Sequence, residues 1–223
     1  MSRIARLVVP GLPHHITQRG NGRQKVFFDD ADYELFLALF SENCKAAGVA
    51  CLAYCLMPNH LHAILVPPDE DALRAALAPT HRRYAGIKNA QRRKTGHFWQ
   101  GRYGCAVMDE NHLAAAFRYI LRNPVAAKLC ASPQQWKWSS ARAYLKSRDD
   151  KLTDTAPMLS RFPDIASLLL ADNEAFEDFT VRDDETIGRP RGSAAFLKQL
   201  ERKTGRNLTP GKRGPKPAKK RGA

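Results

Sequence analysis

The sequence predicts an α+β fold whose elements run strand, helix, strand, strand, helix, strand, followed by extra C-terminal helices and a basic tail. Three observations carry that reading. Short runs rich in β-branched and apolar residues end on Gly, Asn or Pro turn signals. Between them lie longer stretches in which apolar residues recur every three to four positions. With 43% hydrophobic and 26% charged residues over 223 positions, the chain also has an ordinary globular composition and enough length to bury a core.

The first strand is His14-His15-Ile16-Thr17-Gln18-Arg19, ended by Gly20-Asn21-Gly22. His14 and His15 point to opposite faces of it, so they are not a chelating pair. Arg19, Arg23 and Lys25 surround the turn, which suits a phosphate and suits a solvated loop equally. Asp29-Asp30 opens a helix that runs to about Ala47, where Gly48 stops it. Val49–Leu56 and Leu61–Val66 read as strands, the second ended by Pro67-Pro68. Cys51 and Cys55, four apart, are expected on one face of their strand as small buried thiols. A second helix begins at Asp71 and continues toward Lys94, with Pro79 expected to kink or split it. Tyr103–Val107 is the fourth strand. Asp109 caps a helix from Glu110 to about Arg122, which Pro124 is expected to halt. Trp136-Lys137-Trp138-Ser139-Ser140 leads into a short helix to Lys146, and apolar patches at Ile165–Leu170 and Phe176–Phe179 suggest small packed helices. A last helix is expected over Ser193–Lys203, before a basic tail expected to be disordered. The chain thus divides into residues 1–146, 147–187 and 188–223.

Charge is the strongest global signal. Thirty-six Lys+Arg against 22 Asp+Glu give +14, which favours a polyanionic partner. The segment Ala72–Met108 holds no acidic residue, while it carries Arg74, Arg82, Arg83, Lys88, Arg92, Arg93, Lys94 and Arg102. A solvated face is usually mixed in sign, so a one-sign stretch this long favours phosphate. Phe98-Trp99 follows it, and aromatics beside arginines stack single-stranded bases, although core packing fits them as well. No apolar run reaches the ~18 residues of a membrane span, and Met1–Arg6 leads into no signal-peptide core, so a cytoplasmic location is expected. Five cysteines without a C-x-x-C pair argue against a disulfide framework or a thiolate zinc site.

Two constellations carry chemistry. In the strand after Met57-Pro58-Asn59, His60 and His62 share one face while Leu61 takes the other. Two imidazoles roughly 6.5–7 Å apart at Cα reach one ion; one buried and one exposed His fits the same pattern. On the Glu110–Arg122 helix, Leu113, Phe117, Ile120 and Leu121 form the buried stripe. Off it, Tyr119 and Asn123 are stacked neighbours four apart, offering a phenol and an amide oxygen.

Several of these pieces fall into one known pattern. Met57-Pro58-Asn59-His60-Leu61-His62 resembles the His-hydrophobic-His motif of the HUH single-tyrosine transposases, and Phe117-Arg118-Tyr119-Ile120-Leu121-Arg122-Asn123-Pro124 resembles their tyrosine helix. Ile16–Asn21 with Val26-Phe27, Phe98-Trp99-Gln100 and Trp136–Ser140 are similar too. Together, over residues 3–146, they resemble the REP-associated tyrosine transposases of bacteria. The resemblance implies a ferredoxin- or RRM-like βαββαβ core, a four-stranded antiparallel sheet with helices on one face. It implies that His60, His62 and Asn123 bind Mg²⁺ or Mn²⁺, although many relatives carry Gln at the last place. It implies that Tyr119 attacks a DNA phosphate to form a 5′-phosphotyrosine link and free a 3′-OH. Single-stranded DNA hairpins of REP type become the expected partner, with Arg19, Arg23, Arg82, Arg83, Arg92, Arg93, Lys94 and Arg102 on phosphates and Trp99 on bases. Monomer and homodimer both occur among such proteins. A non-catalytic DNA- or RNA-binding regulator would need none of His60, His62, Tyr119 and Asn123 together, and a replication-type nickase usually adds a helicase segment that this chain lacks.

Overall fold

The structure is a computed structural model, and it describes residues 6–146, 150–170 and 189–208. The core follows the expected order: β1 (His14–Arg19), α1 (Asp30–Ala46), β2 (Ala50–Met57), β3 (His60–Val66), α2 (Ala72–Gln91), β4 (Gly104–Val107) and α3 (Glu110–Ala126). The four strands make one antiparallel sheet in the order β2-β3-β1-β4. Asp29 caps α1 through the Asp32 backbone N–H, and Asp109 caps α3 through that of His112, as the acid-rich helix starts predict. Asp69 rather than Asp71 caps α2, accepting from the Asp71 and Ala72 N–H groups. Four of the five cysteines are buried and all five are free thiols.

Strand alternation gives β3 two different neighbours. Leu61, Ala63 and Leu65 join Ile16, Leu56, Phe36, Phe40, Leu73 and Leu77 in a core under α1 and α2. Ile64, on the opposite face, joins Phe117, Ile120, Leu121 and Leu113 of α3. The two helices of the βαββαβ core, α1 and α2, lie on one face as expected, and the additional helix α3 covers the other. The helix bearing Tyr119 packs on the side that also carries His60 and His62.

Three local expectations need correction. Cys51 and Cys55 lie in opposite cores, because a bulge between Cys51 and Ala53 inserts one residue and flips the pleat. Pro124 sits inside α3, which continues to Ala126, and Pro79 leaves α2 as one assigned helix from Ala72 to Gln91. Residues 136–140 lead into a short helix that begins at Ala141, as expected. They run along β2, with the Leu56 N–H donating to the Trp138 carbonyl and that of Ser140 donating to the Tyr54 carbonyl, so the outer edge of β2 is covered. The Phe176–Phe179 patch and residues 209–223 of the tail lie outside the described residues.

The later segments attach to the same framework. The short helices α4 (Ala141–Leu145), α5 (Ala156–Arg161) and α6 (Ile165–Leu170) add Tyr144, Met158, Ile165 and Leu169 to the α3 core. Arg118 and Arg122 of α3 donate to the Leu168 and Leu169 carbonyls of α6, which commits both cations flanking Tyr119 to structure. The segment before α7 (Ala194–Thr204) pairs with the free side of β4, the Arg191 N–H donating to the Val107 carbonyl. Leu200 then packs on Leu7, Val9 and Val107.

Lys88, one cation of the acid-free stretch, faces inward. Its ammonium binds Asp32, and it lies 2.7 Å from Gln91 Oε1; the other Asp32 oxygen accepts from the Phe28 N–H at 2.8 Å. The pair is buried and ties α1 to α2. Lys88→Met strands the carboxylate and is expected to cost ~3–5 kcal/mol in urea unfolding, with part regained on adding Asp32→Leu. Equal stability of Lys88→Met and the parent protein would contradict the pair.

His14 is buried, with Nε2 accepting from the Val9 N–H and Nδ1 donating to the Leu12 carbonyl. Burial lowers its pKa to about 4, and that of His81 to about 3. Between these values and the ordinary 6.5, only the unfolded chain takes up the proton. The stability is therefore complete above about pH 6.5 and lost as pH falls. At pH 5 each histidine is expected to remove about 2 kcal/mol relative to pH 7.5. His14→Asn should flatten that dependence in urea melts; an unchanged slope would contradict the assignment.

Candidate active site

The register of β1 on β3 assembles one end of the sheet. Arg19 lies opposite His60 and Thr17 opposite His62, so both histidines share the α3 face with Arg19 and His15. The β2–β3 turn, the Gly20–Val26 turn and the 96–103 loop converge there. The Gly20 N–H donates to the Asn59 carbonyl, the Asn21 N–H to the Phe98 carbonyl and the Gln100 N–H to the Arg19 carbonyl. Gly20 is required sterically, since a Cβ there would stand 2.4 Å from the Gln24 carbonyl oxygen.

The His60 and His62 rings meet edge to face with centroids 4.9 Å apart, and Tyr119 of α3 stands perpendicular to His62 at 5.3 Å. Asn123 follows one turn later on α3 and is buried. One chain thus brings His60, His62 and Tyr119 together, with Asn123 one turn along α3 from Tyr119. His62 is fully buried, whereas His60 and Tyr119 are partly open to solvent. Burial is the largest cause that holds both imidazoles neutral, His60 down to about 3 and His62 well below its ordinary value. Arg19 adds to both, and His15 and His60 add to His62.

Neutral imidazoles are ligands, and the unused atoms tell which nitrogen is free. His62 Nδ1 lies 3.0 Å from His15 Nε2, while His62 Nε2 is buried without a hydrogen-bond partner. His60 Nδ1 lies 2.6 Å from Asn59 Oδ1, which leaves its Nε2. Among the described residues no three His, Cys, Asp or Glu side chains cluster for a metal; the Asn123 amide on α3 is the further oxygen the sequence offers. Two imidazole nitrogens and an amide oxygen fit a divalent ion.

The basic residues divide. Arg19, Arg23 and Arg102 flank the converging loops at the His60 end of the sheet, and the Arg92 guanidinium lies 4.2 Å over the exposed Phe28 ring beside them. Arg93 and Lys94 follow the end of α2. Arg82 and Arg83 sit mid-way along α2, on the side of the sheet away from Tyr119, with Arg83 3.7 Å from Glu42. Trp99 is half-buried; its indole N–H donates to the His81 carbonyl at 2.9 Å, and its ring lies beside Phe98, His81 and Phe36. Two residues at the site went unread in the sequence, His15 and Asn59. Strand parity puts His15 on the correct face, but only the β1–β3 register brings it to His62.

The chain is similar to known proteins. The model of the family "Transposase IS200 like" matches residues 8–123, just over half the chain. A Haemophilus influenzae protein named as a candidate REP-associated tyrosine transposase is 26% identical over 138 residues, covering 56% of this chain and 77% of that protein. A solved REP-associated tyrosine transposase bound to a REP hairpin superposes with a TM-score of 0.57 at 16% identity, covering 70% of this chain and 93% of the other. The likeness to the solved structure speaks for the fold.

The Trp99 contacts are those of a residue holding the 96–103 loop to α2. Trp99→Ala is expected to destabilise the protein by roughly 2–3 kcal/mol, less than a fully buried Trp costs. Trp99→Phe, losing only the N–H bond and a ring, should cost about 1 kcal/mol. Urea unfolding of both variants checks this, and an unaffected Trp99→Ala would return the residue to a purely surface role.

Proposed function

The chain belongs to the IS200-like transposase family, and we propose that it cleaves and rejoins single-stranded DNA through a covalent bond to Tyr119. The observation that carries the proposal is the convergence of Tyr119 from α3 with His60 and His62 from β3. Two ligand-competent imidazoles beside a phenol suit phosphoryl transfer, where in-line placement and neutralisation of developing charge supply most of the acceleration.

Tyr119 Oη attacks phosphorus, its proton leaves, and the new O–P bond forms as the bond to the 3′ oxygen breaks. The 3′ oxygen takes up a proton, and the 5′ side stays linked to the enzyme. The covalent link is still a phosphate diester, so a 3′-OH that attacks it restores a DNA strand and the phenol. His60, His62 and Asn123 would hold Mg²⁺ or Mn²⁺, which supplies positive charge to the phosphate oxygens. Arg19, on the same face and opposite His60, adds a fixed positive charge. Arg23 and Arg102, on the adjoining loops, suit the strand leading into the site, and Arg92, Arg93 and Lys94 extend that basic surface.

Hairpin-forming repeats are the proposed substrate, because a structural neighbour is bound to a REP hairpin. Residues 1–146 form the catalytic unit in this reading, and the basic residues of the C-terminal segment 188–223 add affinity for the DNA backbone.

The test is adduct formation with a single-stranded REP-type hairpin oligonucleotide and Mn²⁺, read as a shifted band on denaturing gels. Tyr119→Phe should lower the adduct by at least ~10³-fold while hairpin binding persists. EDTA, His60→Ala and His62→Ala should each do the same. An adduct formed by Tyr119→Phe at the parent rate would sink the nucleophile assignment.

A further inference from the structure

We propose that Asn59 and His15 are positioning residues: they hold the two candidate ligand imidazoles with hydrogen on Nδ1, so that both Nε2 lone pairs face a divalent cation. The inference rests on the metal site of the preceding section and extends it to residues outside the ligand set.

For His60 the hydrogen-bond network fixes the answer. Asn59 Nδ2 donates to the Arg23 carbonyl at 3.2 Å, so the atom 2.6 Å from His60 Nδ1 is the amide oxygen. An amide oxygen only accepts, so Nδ1 carries the hydrogen and Nε2 carries the lone pair. The chain runs from the Arg23 carbonyl through Asn59 to His60. It explains why the Gly20–Val26 turn is folded against the β2–β3 turn, where Pro58 also accepts from the Val26 N–H at 2.8 Å.

For His62 the decisive atom is the unpartnered one. The His15 and His62 rings lie nearly parallel, 13° apart, with His15 Nε2 3.0 Å from His62 Nδ1. Were the hydrogen on His62 Nε2, the protein would bury an N–H group with no acceptor. With the hydrogen on Nδ1, His15 Nε2 accepts it, and a lone pair is left buried and open to a cation. The partners of ligating histidines set tautomer, ring orientation and basicity in this way. His15 reaches His62 only diagonally, from the position opposite Ile64, so the contact depends on the β1–β3 register.

The experiment combines long-range ¹H–¹⁵N NMR of the imidazoles of the full-length, metal-free protein with EPR titration of Mn²⁺. His60 and His62 should both appear as Nδ1–H tautomers. Asn59→Ala and His15→Leu should release the tautomer of His60 and His62 respectively, and weaken Mn²⁺ binding by ~10–100-fold. Asn59→Asp and His15→Gln, which keep an accepting oxygen, should recover most of it. Nε2–H tautomers in the unsubstituted protein would overturn the proposal. So would parent-like Mn²⁺ affinity in Asn59→Ala and His15→Leu while His60→Ala and His62→Ala lose it. Parent-like affinity in His60→Ala and His62→Ala would instead refute the metal site itself. Should His15→Leu fail to fold by circular dichroism, the tautomers of the unsubstituted protein and the Asn59 variants decide the matter.

Discussion

Strand β3 has to serve two different environments, and the rest of the molecule is arranged around that constraint. Its side chains alternate, so Leu61, Ala63 and Leu65 must find an apolar core on one face while His60, His62 and Ile64 face the other. Helices α1 and α2 satisfy the first face. Helix α3 covers the second, and the helix that buries Ile64 under Phe117 and Ile120 is the one that carries Tyr119. Core packing and site assembly are therefore the same event. A one-residue slip of β3 would send the histidines into the α1–α2 core and leave Tyr119 facing Leu61.

The electrostatics follow from the same burial. A chain of net charge +14 keeps the imidazoles at the centre of its site neutral, because they are desolvated and lie near Arg19. Some of the positive charge does structural work instead of facing a ligand. Lys88 is paired with Asp32, and Arg118 and Arg122 cap α6. Charge counts along the sequence thus overstate the polyanion-facing surface. What is left near His60 is a smaller set on the converging loops, Arg19, Arg23 and Arg102, with Arg92 beside them.

The order of the core elements was legible because periodicity and turn chemistry agree at each of them. The Gly-Asn-Gly turn, the caps at Asp29 and Asp109 and the Gly48 stop agree with the elements they bound. The errors fell where a local signal met a tertiary override. A bulge in β2 reversed the parity of Cys51 relative to Cys55, and Pro124 is carried within α3 by the packing on either side of it. Residues 136–140 lead into the next helix as read, and only the fold shows that they are drawn out along β2, whose outer edge has backbone groups to satisfy.

By itself the sequence determined which side chains are available and which share a face: His60 with His62 by the period of a strand, Tyr119 with Asn123 by the period of a helix. Both relations hold over a few residues of chain and need no knowledge of the fold. Only the tertiary structure decided that Tyr119 meets His62, that Trp99 is held by the His81 carbonyl, and that His15 and Asn59 stand behind the imidazoles. Those contacts join residues far apart in the chain, or depend on turns folded against one another. They are set by strand register and by which helix buries which face, and no local pattern encodes either.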